Sequence, residues 1–377
     1  MADSKKEVLL VGFGAVGGIY SLILQKSGKV NLTVVARSNY ESVNNEGVHF
    51  KSEKFGDVQG WRPRRLVNSV KAAADRAYSH VFIAAKCVPE VVSNSQLVAP
   101  LLSDAYASSY PQPTYVLLQN GWNFERELYD SVKGLGKGEP RIVSSALYIM
   151  TNLHGPNVIW HNAVERVVLG MYRCDDYGTT MNSPEEQAVL DELEEILKAG
   201  GSTVEVVPEI QRRKYAKNML NVTFAGFSCL TRYPLMSVFR PPPSEPIQYS
   251  TYVHPITADR VEEFAIPAMR GVMQELVNLA YALGFPDSAV DGIPSSCVVD
   301  AVEHARNTHN DASATHVAST LLDIEKGYPI EVEVIWGGIV RAARERQVDM
   351  PRTEMMYSIL VVVENQLIRE RALGPSK

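Results

Sequence analysis

This chain predicts an α/β domain followed by a helical domain, and three observations carry that fold class. Apolar runs of strand length alternate with helical segments up to about residue 207, a glycine-rich turn joins the first strand to the first helix, and from Glu209 onward the periodicity is helical. At 377 residues the chain is too long for one compact core and fits two domains. The expected division is residues 1–208 and residues 209–377.

The first strand, Val8-Leu9-Leu10-Val11, enters Gly12-Phe13-Gly14-Ala15-Val16-Gly17 and continues in the helical pattern of residues 19–24. Gly12 permits the tight turn, Gly14 lets the backbone approach a pyrophosphate, and Gly17 lets the helix pack closely on the strand. Glycines also collect in turns for steric reasons alone. With a strand before and a helix after, the run predicts a Rossmann-type dinucleotide site.

Further strands are expected at residues 32–36, 80–85, 114–118 and 141–145, as a parallel sheet covered on both faces requires. Shorter β-like pieces follow at 157–160 and 166–170, then a helix over 184–198 and a last strand over 202–207. In the second domain helices are expected from 213 through 220 and beyond, and over 261–283, 316–326, 330–346 and 354–371. Pro241-Pro242-Pro243-Ser244-Glu245-Pro246 cannot continue a helix and predicts an exposed loop without a catalytic role.

Hydrophobic content of 45% and charged content of 21% suit a soluble globular enzyme. A net charge of -6 and a pI near 5.8 argue against nucleic acid or an anionic membrane as partner. The polar start and the lack of a long apolar run predict neither a signal peptide nor a membrane span. Cys87, Cys174, Cys229 and Cys297 are far apart and share no metal-ligand spacing, so no metal and a reduced, cytoplasmic compartment are expected.

The second strand ends in Val35-Ala36-Arg37-Ser38, where an NAD-binding fold carries an acid for the ribose 2′-hydroxyl. A carboxylate would repel a 2′-phosphate, whereas Arg37 can pair with one bidentately, so NADP(H) is the cofactor expected. The bland alternative is a surface arginine after a strand. Lys86 and Gln119-Asn120-Gly121 follow the next two strands, at the carboxyl ends where open α/β sheets bind ligands. Lys86 suits a substrate carboxylate or cofactor phosphate, and Asn120 a hydroxyl or ribose, although Asn-Gly is also a common turn dipeptide.

The helical domain opens with Arg212-Arg213-Lys214-Tyr215-Ala216-Lys217-Asn218-Met219-Leu220-Asn221. Lys217 and Asn221 share a helix face, and so do Lys214 and Asn218, so two registers compete with each other and with a merely solvated basic face.

The glycine motif, Arg37, Lys86, Gln119-Asn120-Gly121, the Lys-x-x-x-Asn helix, Ser319-Thr320-Leu321-Leu322-Asp323 and Glu331-Val332-Glu333-Val334-Ile335-Trp336-Gly337-Gly338 occur in the order seen in ketopantoate reductases. From about Val8 to Leu360 the chain resembles a eukaryotic, fungal-type member of the 2-dehydropantoate 2-reductase family. The resemblance implies a Rossmann domain plus an all-α domain like the C-terminal one of 6-phosphogluconate dehydrogenase, with the active site in a cleft between them. It also selects the register, because Ala225-Gly226-Phe227-Ser228-Cys229-Leu230 continues the family pattern only if Lys217 and Asn221 are the pair.

By that match Lys217 is the general acid, Glu331 binds substrate and orients the lysine, and Asn120, Asn221 and Ser319 bind substrate. Gly12, Gly14, Gly17, Arg37, Lys86, Asn120 and Glu331 fall on cofactor-binding positions. The reaction implied is NADPH-dependent reduction of a small carbonyl substrate, 2-dehydropantoate, to (R)-pantoate in pantothenate biosynthesis. A homodimer through the helical domain follows from the resemblance alone.

Three positions depart from the family. Ala225 and Trp336 stand where asparagines are usual, and His316 falls where another commonly lies near Ser319, which predicts a reshaped substrate pocket. These departures keep open a paralogous reductase of another 2-oxo acid, ketone or imine in secondary metabolism. A non-enzymatic NADP-sensing regulator is the other rival, and retention of Lys217 and Glu331 argues against it.

Overall fold

The computed structural model describes residues 5–373, so the first four residues of the polar start lie outside the described residues. The chain divides into two compact units, Met1–Lys214 and Tyr215–Lys377. The division falls inside the helix Ile210–Leu220, where Lys214 is buried against Glu125 and Ser144 of the first unit.

The first unit is built on one sheet. Its strands are β1 (Lys6–Val11), β2 (Val30–Val35), β3 (Val48–Ser52), β4 (Gly56–Trp61), β5 (Arg65–Val67), β6 (His80–Ile83), β7 (Thr114–Leu117), β8 (Ile142–His154), β9 (Val158–Met171) and β10 (Val204–Val206). Their spatial order is β4-β3-β9-β8-β7-β6-β1-β2-β5, with β10 beside β9. Every residue of β6 and β7 is buried, as expected of parallel strands covered on both faces. Leu10, Phe82 and Val116 pack into one apolar cluster with helix α1 (Ala15–Lys26) and the helix Pro184–Ala199, while Leu9, Val81 and Leu117 pack into another.

The sheet is mixed rather than wholly parallel. β8 and β9 form a long antiparallel pair with a register shift between Ile149 and Thr151. The two β-like pieces expected at 157–160 and 166–170 are therefore one strand. Glu165 in its middle is buried, with Tyr20, Lys54 and Ser202 as hydrogen-bond partners, and a buried acid interrupts the apolar run that marks a strand in sequence. β3, β4 and β5 are short and partly exposed, and offer little periodicity to read.

The second unit is helical. Its longer helices are Ile266–Ala282, Cys297–His309 and Pro351–Leu373, with Ser319–Glu325 and Gly338–Glu345 between the last two. Residues 241–246 form the exposed loop that their prolines predict. Among the described residues three π-helical turns interrupt the helices, at Asn221–Ala225, Val261–Ala265 and Glu333–Gly337. Such turns insert one residue into an α-helix and concentrate at functional sites. No helix among the described residues is long and apolar enough to cross a membrane.

Candidate active site

In the first unit the strand order β2-β1-β6-β7 aligns the ends of four parallel strands, with Val11 opposite Val35 and Ile83, and Ile83 opposite Leu117. Arg37, Gly12, Lys86 and Asn120 each follow one of these ends, so the sheet sets them in a row at its carboxyl edge. Neighbouring strands stand about 4.8 Å apart. Side chains on adjacent ends can therefore contact one elongated ligand.

Each glycine of the turn answers a separate constraint. Gly12 has φ +100°, and a Cβ there would stand 2.4 Å from the backbone nitrogen of Ala85. A Cβ on Gly17 would lie 1.9 Å from the Gly12 carbonyl oxygen, so the helix rests directly on the turn. Gly14 is different. It is the N-cap of α1, and a Cβ there would meet nothing within 4 Å. The first turn of α1 contains no acid and has no side-chain cap, which leaves a helix N-terminus suited to an anion beside the space over Gly14. These residues fit a dinucleotide pyrophosphate.

Asn39 fixes the neighbouring loop, its Nδ2 donating to the Phe13 carbonyl at 2.8 Å. The Arg37 guanidinium is exposed and has no side-chain hydrogen bond or ion pair among the described residues. Lys86 is exposed and Asn120 half-buried. Gln119, adjacent to Asn120, is a brace: its Nε2 donates to the Ala85 carbonyl at 2.8 Å, and its amide pairs with that of Asn94.

Sequence reasoning missed a deeply buried ion pair of this unit. The Lys214 ammonium donates to Glu125 and, at 3.0 Å, to Ser144 Oγ, and it lies 4.0 Å from the centre of the Phe124 ring. Burial pulls the Lys214 pKa below the usual lysine range, with the Glu125 charge opposing. Glu125 Oε2 has no hydrogen-bond partner among the described residues. No local signal marks this pair, because its members lie 89 positions apart.

In the second unit Lys217 and Asn221 are half-buried, and Asn221 opens the first π turn. Asn218, the partner in the competing register, is buried and its Nδ2 donates to the Ile335 carbonyl at 2.8 Å. Lys214 and Asn218 are thus both committed to internal structure. Glu331 is buried two residues before the π turn Glu333–Gly337, and Ser319 is exposed at the start of its helix.

The positions that depart from the family pattern behave differently from one another. Trp336 is fully buried, and its indole N–H donates to the Val222 carbonyl at 3.0 Å, so its place is in the packing of the unit rather than on a pocket wall. Ala225 is buried at the end of the first π turn. His316 is exposed, with its ring 5.6 Å from that of His309.

Residues 8–173 match the family model described as ketopantoate reductase PanE/ApbA, and residues 255–364 match the model of its C-terminal domain. A 2-dehydropantoate 2-reductase of Nostoc is 21% identical over 96% of this chain and 97% of its own length. The crystal structure of 2-dehydropantoate 2-reductase from Methylococcus capsulatus superposes with a TM-score of 0.71 at 25% identity, covering 96% of this chain and 97% of that one. A D-mandelate dehydrogenase structure with NADH and anilino(oxo)acetate has the same fold, with a TM-score of 0.71 at 15% identity over 96% of this chain and 99% of that one.

Proposed function

The chain belongs to the ketopantoate reductase family, a family of oxidoreductases, and from that premise we propose that it reduces 2-dehydropantoate to (R)-pantoate with NADPH. The observation that carries the reading is the pairing of two π turns in the helical unit. One begins with Asn221, a turn beyond Lys217, and the other follows Glu331.

The dinucleotide, when bound, supplies the hydride. The chain's own residues do the rest. Gly12, Gly14 and the open N-terminus of α1 hold the pyrophosphate, and Arg37 with Ser38 holds the 2′-phosphate. Lys86 contributes a cation and Asn120 an amide at the neighbouring strand ends. Hydride arrival turns a ketone into an alkoxide, and Lys217 donates its proton to that oxygen. Glu331 orients that ammonium toward the substrate oxygen. Asn221 and Ser319 hydrogen-bond the substrate, one through an amide and the other through a hydroxyl.

Steady-state oxidation of NADPH and NADH against 2-dehydropantoate and a panel of other 2-oxo acids, ketones and imines tests this reading. It expects the highest kcat/KM with NADPH and 2-dehydropantoate. Turnover confined to another carbonyl or imine would establish the paralogue instead, a reading that Ala225 favours because it removes an amide from the pattern.

A further inference from the structure

We propose that Trp336 and Asn218 are positioning residues for the reductive chemistry, cross-linking two π turns so that the helix bearing Lys217 and Asn221 keeps a fixed setting against the segment bearing Glu331. The inference rests on the reading of Lys217 and Glu331 given above. It starts from the carbonyls. A π turn shifts backbone acceptors from i+4 to i+5 donors and loosens the winding, which opens its carbonyls to side-chain donors from a neighbouring segment. Val222 lies in one π turn and Ile335 in the other.

The two carbonyls are served reciprocally. Trp336, from the second turn, donates Nε1 to Val222 of the first at 3.0 Å, and Asn218, a turn before the first, donates Nδ2 to Ile335 of the second at 2.8 Å. Both side chains are buried. Gly226 makes the approach feasible, since a Cβ there would lie 3.3 Å from the indole nitrogen and 2.1 Å from Met356 Sδ.

The consequence is directional. If a π turn relaxed to ordinary α-helical winding, every side chain beyond it would rotate around the helix axis by roughly 100° relative to those before it. The first cross-link holds the turn that begins with Asn221, and the second holds the turn that follows Glu331. Each bond ties one segment to the π turn of the other, so the two together fix the setting of both.

Trp336→Phe removes a donor while keeping an aromatic ring, and Asn218→Leu removes the other at similar volume. Each is expected to lower kcat roughly tenfold while KM for NADPH stays within about twofold, because the glycine turn, Arg37 and Lys86 lie outside the cross-linked segments. The double variant is expected to lose little more than either single one. Hydrogen–deuterium exchange on the apoprotein gives a readout independent of turnover. Either substitution should speed exchange in both 217–225 and 331–338.

Exchange that rises only in the segment carrying the substitution would overturn the reciprocal coupling, and so would unchanged kcat in both variants. A wild-type protein inactive on every carbonyl tested would instead sink the proposed reaction. The exchange data would then decide the coupling on their own.

Discussion

Lys214→Met is the substitution whose outcome follows most directly from the geometry. The Lys214 side chain is 2% exposed and Glu125 is fully buried, so removing the ammonium leaves a carboxylate whose one remaining partner among the described residues is the Ser144 hydroxyl. Glu125 Oε2 already has no partner to draw on among the described residues. Breaking one half of a buried ion pair costs about 3–5 kcal/mol. For a unit of this size, where each kcal/mol moves the melting midpoint by about 2–4 °C, the first unit should melt about 6–20 °C lower.

Adding Glu125→Gln to Lys214→Met should return most of that loss, because a neutral pair carries no stranded charge. Thermal unfolding followed by circular dichroism, alongside NADPH turnover, measures both effects. A Lys214→Met protein that melts like the wild type but has lost all turnover would refute the reasoning, since Lys214 would then be the working amine rather than a structural one.

Gly14→Ala should change unfolding free energy by less than about 1 kcal/mol, since the added methyl meets no protein atom, yet weaken NADPH binding roughly tenfold or more in a fluorescence titration. Arg37→Asp should lower the NADPH-to-NADH ratio of kcat/KM by roughly tenfold or more, and an unchanged ratio would remove Arg37 from the phosphate site. His309 is held at about 4 by burial, with His316, Arg240 and His304 adding to the effect. Its folded pKa lies below the ordinary 6.5, so the unfolded chain binds more protons between these values, and stability present above pH 6.5 is lost as pH falls toward 4. His309→Gln should flatten the dependence of melting temperature on pH between 7 and 4, relative to the wild type.

Much of this was legible in the chain because the signals are local. The glycine turn, the apolar runs of β1, β2, β6 and β7, and the helix after residue 184 each announce themselves within a dozen residues. β9 did not, since a buried Glu165 splits its pattern and the charge is compensated by Tyr20, Lys54 and Ser202 from distant segments. The π turns also escaped reading, because one inserted residue barely disturbs helical periodicity.

Trp336 shows the limit most clearly. Sequence comparison sees an asparagine replaced by an indole and infers a bulkier pocket, whereas the side chain is buried and bonded to Val222. Helical periodicity alone does not tell Lys214 from Lys217, and in the structure the distant Glu125 marks the first as a buried amine while the second is half-buried.

The central claim is that Lys217 supplies the proton, and the turnover of Lys217→Ala tests it most directly. Single-turnover oxidation of NADPH by saturating 2-dehydropantoate should slow roughly a hundredfold or more, with NADPH affinity and melting temperature close to wild type. Near-normal turnover in that variant would contradict the account.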